Sequence, residues 1–457
     1  MSRGPAMRPD RRLVLAGIPG AVLAACTRGR PRARLAPPAA SAADYLEHAR
    51  AAARFLRALA VETPHGLSWR KSPDEPGSTD LGLYHGSAGP VVFFLELHRA
   101  TGERAALDQA IAGAAHIAAT SPREPGITEI GLYGGPAGHT AVFTALAADA
   151  PDPRIAGWID DAIARLEHAA APTSGGGVAY PAVDMMFGNA GVIVALLPLA
   201  GPRARALAIA LGDGLLACAQ DAPPGRRWLS MPGDTAEYPN FSHGTAGIAF
   251  ALARLYEVTR DGRYLDAALA GARHLLSLAH TDGDVCLIPH RIPDGTERYY
   301  LGYCHGPAGT ARLFHQLHHV TGDPAWASWF RRSVNGILYS GIPEARTPGF
   351  WDNVGQCCGS AAVAELLLSL HRLTDDPGYA ELAHTLAADL LRRATRRADG
   401  GLEWIHAENR ADPFWRQSYT GYMQGAAGIG SLLLRLAAHD RRLAWKVRLP
   451  DNPLPIV

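Results

Sequence analysis

The stretch Gly355-Gln356-Cys357-Cys358-Gly359 puts two thiols on adjacent residues, just ahead of the small apolar run Ser360-Ala361-Ala362-Val363-Ala364. Adjacent loop side chains aimed at one place are strained unless something gathers them. A metal such as zinc does so, because thiolates are among its preferred ligands. A third thiol has a matching context upstream, in Gly302-Tyr303-Cys304-His305-Gly306. Any one of these cysteines alone reads equally well as a buried, inert residue. The case for a shared site depends on the elements that position them.

Those elements repeat. The pattern Gly-x-Ala-Gly followed by an apolar helix begins at Gly86, Gly135, Gly188, Gly244, Gly306, Gly359 and Gly425, with Ala362 as the last residue of the sixth copy. Periods of several tens of residues are the mark of a repeat architecture. Twelve residues after the motif comes a break, as at Thr101-Gly102-Glu103, Thr259-Arg260-Asp261-Gly262, Thr321-Gly322-Asp323 and Thr374-Asp375-Asp376. Twelve residues make about three helical turns, and Thr or Asp at such a break suits the cap of a following helix. The next segment is amphipathic, for example Tyr264 to Leu276. Each repeat therefore predicts a helical hairpin, one helix small-faced and one amphipathic. Glycine is a poor helix former; here it opens the helix and admits a close neighbour. Seven such hairpins predict an all-α, α/α toroid, small-faced helices inside and amphipathic ones outside. An open solenoid is the alternative, but it normally carries polar capping repeats.

In a toroid, the residues just before each first glycine line one end of the ring. Directly before it stand His85, Gly134, Phe187, His243, His305, Cys358 and Gln424; one position earlier stand Tyr84, Tyr133, Met186, Ser242, Cys304, Cys357 and Met423. Three of the six cysteines and three histidines fall in this layer. Cys304 precedes the fifth inner helix and Cys357 and Cys358 the sixth, so neighbouring repeats supply three ligands. Three protein ligands leave a fourth position open, the arrangement of a catalytic rather than a structural zinc.

The rest of the composition narrows the class. Of 457 residues, 47% are hydrophobic and 19% charged, enough for a large core, and the net charge of +1 gives no sign of a nucleic-acid partner. Six cysteines are too few for a disulfide framework. Residues 1–26 read as a targeting segment: Arg11-Arg12, an apolar run from Leu13 to Val22, then Leu23-Ala24-Ala25-Cys26. The run is too short to span a bilayer. The arginine pair resembles a twin-arginine export signal, and the end resembles a lipoprotein box whose cysteine is lipidated. Residues 27–43, rich in Arg, Ala and Pro, read as a tether, and 44–457 as the toroid domain. The expected location is the outer side of the cytoplasmic membrane, held by a lipid anchor.

The repeat region resembles the lanthionine synthetase C-like family of cyclases, whose members are α/α toroids with seven inner helices. The family's zinc segments correspond to Tyr303-Cys304-His305-Gly306 and Cys357-Cys358-Gly359 here. The second ligand pair is Cys-Cys rather than Cys-His, a variant some family members share. The resemblance implies zinc on Cys304, Cys357 and Cys358, an acid/base role for His243, and an orienting or polarising role for Asp184, in Asp184-Met185-Met186-Phe187-Gly188. His85 and His305 are second choices for acid/base work or for hydrogen bonding around the metal. Two positions depart from the family: Tyr303 replaces a tryptophan, and Tyr300 stands where an arginine is expected, with Arg298 nearby but out of register. The implied reaction adds a thiol to a dehydroalanine or dehydrobutyrine to form a thioether, so the expected partners are a peptide or small thiol and a substrate carrying a dehydroamino acid. Such chemistry needs a thiolate near neutral pH, which coordination supplies, and a proton donor, which histidine supplies. Three thiolates also carry one more negative charge than two thiolates and an imidazole, which favours attack by a bound thiol over polarisation of a carbonyl.

Other cysteines and aromatics carry less. Cys218 reads as core, Cys286 has no assigned role, and Trp351 and Trp415 either line the ring mouth or simply pack. Two rival functions remain. Glycosidases built on the same toroid use a pair of carboxylates, and no carboxylate occupies the fourteen layer positions. A membrane-held peptide-binding module without catalysis is the other, and the three cysteines argue against it.

Overall fold

The computed structural model describes residues 40–231, 233–345, 353–406, 416–438 and 446–455. Trp351 and Trp415, with Arg11, Arg12 and Cys26, lie outside them. Fourteen α-helices are present among the described residues. In chain order they are α1 (Ala42–Ala58), α2 (Ala88–Thr101), α3 (Arg104–Thr120), α4 (Pro136–Ala147), α5 (Arg154–Ala169), α6 (Asn189–Leu196) and α7 (Pro202–Ala217). They continue as α8 (Thr245–Thr259), α9 (Gly262–Leu278), α10 (Pro307–Thr321), α11 (Pro324–Leu338), α12 (Ser360–Thr374), α13 (Pro377–Arg393) and α14 (Ala426–Ala437).

The even-numbered helices α2 to α14 form the inner ring. Each touches the next, and α14 touches α2, which closes the ring. The expected toroid is therefore the fold. The inner helices are buried almost all round; in α8 every residue from Thr245 to Ala253 is buried. Each of the first six packs against the outer helix that follows it, while α14 takes its outer partner from the chain start, α1. The seventh pair thus joins the two ends of the chain and latches the ring.

The helix boundaries follow from short-range chemistry. Asp261, Asp323 and Asp376 cap the outer helices, each accepting the amide of the residue two further on. The preceding threonines do not cap; Thr259, Thr321 and Thr374 donate their hydroxyls to the carbonyl four residues back and fasten the end of the inner helix. The motif glycines answer to close approach. A Cβ on Gly244 would meet the Tyr238 carbonyl oxygen at 1.5 Å, and one on Gly247 would meet that of Phe241 at 2.0 Å. Each motif glycine thus lets the loop ahead of the helix fold back onto the helix start.

The structure adds short antiparallel hairpins that helical periodicity does not reveal. One is β1 (Ala60–Thr63) with β2 (Gly66–Trp69), paired Ala60 to Trp69. Others follow α5, α7, α9 and α13. They deliver Trp69, Trp228 and Trp404, all fully buried, into the gap beside the outer helices, where Trp228 and Trp404 donate to the carbonyls of Leu215 and Leu390.

A belt of backbone hydrogen bonds ties the repeats together at the N-terminal ends of the inner helices. The amide of Tyr84 donates to Tyr133, Tyr133 to Met186, Met186 to Ser242, Ser242 to Cys304, Cys304 to Cys357, Cys357 to Met423, and Met423 back to Tyr84. The belt closes on itself through one residue of each repeat, at the position two before the first glycine. Behind it, residues 446–455 fill the bore. Lys446 bonds Glu365 of α12 at 2.8 Å, the Val447 amide bonds Glu96 of α2, and Asp451 meets Arg312 of α10 and Tyr133. This short segment thus touches four repeats around the ring.

Candidate active site

The cysteines predicted to converge do so. Cys304, Cys357 and Cys358 are buried, and their sulfurs lie within 4.8 Å of one another. The Cys304 and Cys358 Sγ atoms are 2.8 Å apart, those of Cys357 and Cys358 3.4 Å, and none of the three is in a disulfide. The belt explains the convergence: Cys304 and Cys357 are consecutive members of it, so their side chains are fixed at adjoining places on the ring. Gly302 makes room, since a Cβ there would meet the Cys358 backbone at 2.7 Å. Hydrogen bonds from the Cys304 and Cys358 thiols hold Cys357 well below the ordinary thiol range against the effect of burial, helped by Tyr84 and the charge of His243. Cys358 is pushed well above that range, because its proton is shared with Cys304 and Cys357 and because it is buried. Three thiols packed so closely resist ionising together unless a cation neutralises them, and their donor set suits zinc.

Beside them in the layer, beginning on the repeat next to that of Cys304, is an aspartate–histidine dyad. Asp184 Oδ2 lies 2.7 Å from His243 Nδ1 and also accepts the Ser230 hydroxyl, while Oδ1 accepts the Phe187 amide at 2.7 Å. Asp184 is fully buried, and the His243 side chain is 28% exposed. Burial works to lower the His243 pKa, but the hydrogen bond and charge of Asp184 outweigh it and raise the value. The bond to Nδ1 fixes the ring and leaves Nε2 for a reacting group. Phe187 and His305 pack near the imidazole, with ring centroids at 5.4 and 5.8 Å.

His305 follows Cys304, but no carboxylate among the described residues bonds it. It is buried against His290, Tyr300 and Tyr238, with centroids at 4.5, 5.5 and 5.6 Å. Burial first, then His290 and His243, drive its pKa well down, so it stands as a neutral ring. His85 is also lowered by burial, and it belongs to a different group of contacts, with Gln424 and Tyr419. Arg298 does not join the layer; it pairs with Glu297 at 3.2 Å. Tyr303 is buried under Arg312, whose guanidinium lies 4.8 Å from the ring centre. Cys218 is half-buried at the end of α7, and Cys286 is buried in a short strand (Val285–Leu287), where burial lifts its thiol to about 11.

Several site residues escaped the sequence reading. Ser230 lies on the loop before α8 and supports Asp184. Arg291 rests over the Tyr238 ring at 5.5 Å, behind His243 and His305. The relay onto Cys357 from Tyr84 and Gln424 was unforeseen, although both residues stand in the predicted layer. A further sign was present for Asp184: it is four residues before the motif glycine, where Gly82, Gly131, Gly302, Gly355 and Gly421 stand in five of the other repeats. A buried carboxylate replacing a repeat glycine is conspicuous.

No curated protein matches the sequence. Among solved structures, nisin cyclase superposes with a TM-score of 0.60 at 14% identity, over 81% of this chain and 91% of that one. The Lin0763 protein from Listeria innocua gives 0.49 at 12% identity, over 85% and 96%. An alpha-1,6-mannanase from Salegentibacter sp. gives 0.46 at 12% identity, over 86% and 98%. Residues 77–449 match the family described as lanthionine synthetase C-like protein. With that match spanning most of the toroid, the chain belongs to the lanthionine synthetase C-like family.

Proposed function

We propose that this protein is a zinc-dependent enzyme that adds a thiol to a dehydroalanine or dehydrobutyrine residue and so forms a thioether. The observation that carries the reading is the presence, in one layer of the ring, of a three-thiol cluster and a histidine held by a buried carboxylate. Cys304, Cys357 and Cys358 would hold the metal. Zinc bound there would supply the positive charge that brings an incoming thiol to its thiolate near neutral pH.

The remaining chemistry falls to the chain. The substrate sulfur bonds to the β-carbon, the double bond opens, and the α-carbon takes up one proton, so the thiol's own proton balances the addition. His243 Nε2 would give or take that proton. Asp184 holds the ring by Nδ1 and stabilises its protonated form. The Phe187 and Tyr238 rings beside His243 give the reacting atoms an apolar wall. The substrate is a peptide bearing a dehydroamino acid, with its own cysteine or a small thiol as the nucleophile. We place the enzyme outside the cytoplasmic membrane, exported through Arg11-Arg12 and anchored by lipid at Cys26.

His243→Asn tests the reading. Positioned acid/base catalysis is worth roughly 10²–10⁴ in rate. Conjugation of a thiol to a dehydroalanine peptide should fall by that factor while zinc content stays at the wild-type level. Zinc lost together with rate would make His243 a ligand, and a wild type no faster than its zinc-free form would favour a binding module.

A further inference from the structure

Tyr84 is the belt residue of the first repeat, yet its side chain serves the sixth. Its hydroxyl donates to Cys357 Sγ at 3.2 Å. The same oxygen accepts from Gln424 Nε2 at 3.0 Å, and the Gln424 carbonyl oxygen is in turn bonded by His85 Nε2. The His85 ring is stacked on Tyr419, centroids 5.0 Å apart and planes 2° from parallel. Every link is directed one way: imidazole N–H to amide oxygen, amide N–H to phenol oxygen, phenol O–H to sulfur. Hydrogen bonds in series polarise one another, so the last donor is strengthened by those behind it.

The equivalent tyrosine of the next repeat does something else. Tyr133 occupies the same belt position, but its hydroxyl donates to Asp451 Oδ2 at 2.9 Å, in the bore behind the layer. The backbone position alone therefore does not make a tyrosine a partner of a cysteine. Gln424 selects the orientation for Tyr84, and the first and seventh repeats meet only because the ring closes.

We propose that Tyr84, oriented by Gln424 and His85, is a positioning residue that tunes the metal centre by withdrawing charge from the Cys357 thiolate. The inference rests on the three-cysteine reading given above. Three thiolates concentrate more negative charge than two thiolates and an imidazole, and a dedicated donor on one sulfur offsets part of the excess. The Cys357 sulfur then stays bound as thiolate and remains a poor competitor for the electrophile. The substrate thiol then remains the more reactive sulfur.

The test uses the full chain loaded with cobalt(II) or zinc, compared for wild type, Tyr84→Phe, Gln424→Leu and Tyr133→Phe. Wild type should show intense sulfur-to-cobalt charge-transfer absorption. Tyr84→Phe should keep one metal per chain but move that band to lower energy. It should also release zinc to a competing chelator about tenfold faster or more, the effect of one hydrogen bond to a charged acceptor. Gln424→Leu should shift both readouts the same way by less. Tyr133→Phe should leave both unchanged, which separates tuning from a general loosening of the belt. A Tyr84→Phe protein with the wild-type band and release rate overturns the proposal. If that variant does not fold, an unshifted Gln424→Leu overturns it. A wild-type protein with no sulfur-to-cobalt band instead refutes the three-cysteine site itself.

Discussion

Asp184→Asn is the sharpest single perturbation, because it preserves shape and removes one charge. In the native site Oδ1 takes the Phe187 amide and Oδ2 takes both the Ser230 hydroxyl and His243 Nδ1. An asparagine that keeps its oxygen on the Phe187 amide must turn its NH2 toward Nδ1. That nitrogen then has to accept, which only a neutral ring does. The hydrogen bond and charge of Asp184, the largest contributions that raise the His243 pKa, are thereby lost; burial still lowers it, against only the charges of Cys357 and Asp234. A hydrogen bond to a charged group is worth about 1.5–3 kcal/mol, and one pKa unit is about 1.4 kcal/mol. The His243 pKa should therefore fall from its raised position. The sign follows: native His243 keeps its proton to a higher pH than an ordinary histidine and loses it as pH rises through the raised value, so the alkaline limb of a proton-donating step lies on the alkaline side of an ordinary histidine's. The assay is the pH profile of thiol addition to a dehydroalanine peptide, with zinc measured on the same samples. The Asp184→Asn variant should move that limb toward acid by about 1–2 units with zinc retained. A limb at the wild-type position would refute the dyad as the source of the proton.

The other predictions test different parts of the molecule. Cys304→Ala should lose most of the bound zinc while Cys218→Ala, altering a thiol outside the layer, keeps about one zinc per chain by elemental analysis. Lys446→Met should lower unfolding stability by about 3 kcal/mol or more in denaturant titration, because it strips a buried ion pair from Glu365; an unchanged midpoint would mean residues 446–455 are not needed to fill the bore. Cys26→Ser should abolish lipid attachment, and Lys at positions 11 and 12 in place of Arg should hold precursor inside the cell. Normal membrane fractionation of both would refute the export reading.

Much of this architecture is written locally. A glycine is needed wherever a loop folds back onto its own helix start, so the motif recurs and announces seven repeats. Registering the repeats then puts Cys304, Cys357, Cys358, His243, His85 and His305 in one layer, because equivalent positions of a closed ring share a height. The small-faced and amphipathic helices assign themselves to inside and outside by burial. These inferences need only short-range chemistry and the repeat.

What the sequence could not decide is which side chains meet between repeats. His243 and Asp184 are 59 residues apart and Tyr84 and Cys357 are 273 apart; no periodicity selects those pairs over others in the layer. The layer's three histidines look alike in sequence, yet one holds a buried carboxylate, one stands neutral among aromatic rings, and one backs a tyrosine. The two-residue strands are too short to leave an alternating pattern, and the pairing of α1 with α14 joins segments with no local relation. Those features come from ring closure. Only when the last repeat meets the first are the directions of the layer's side chains settled, and with them the partner that each titratable group receives.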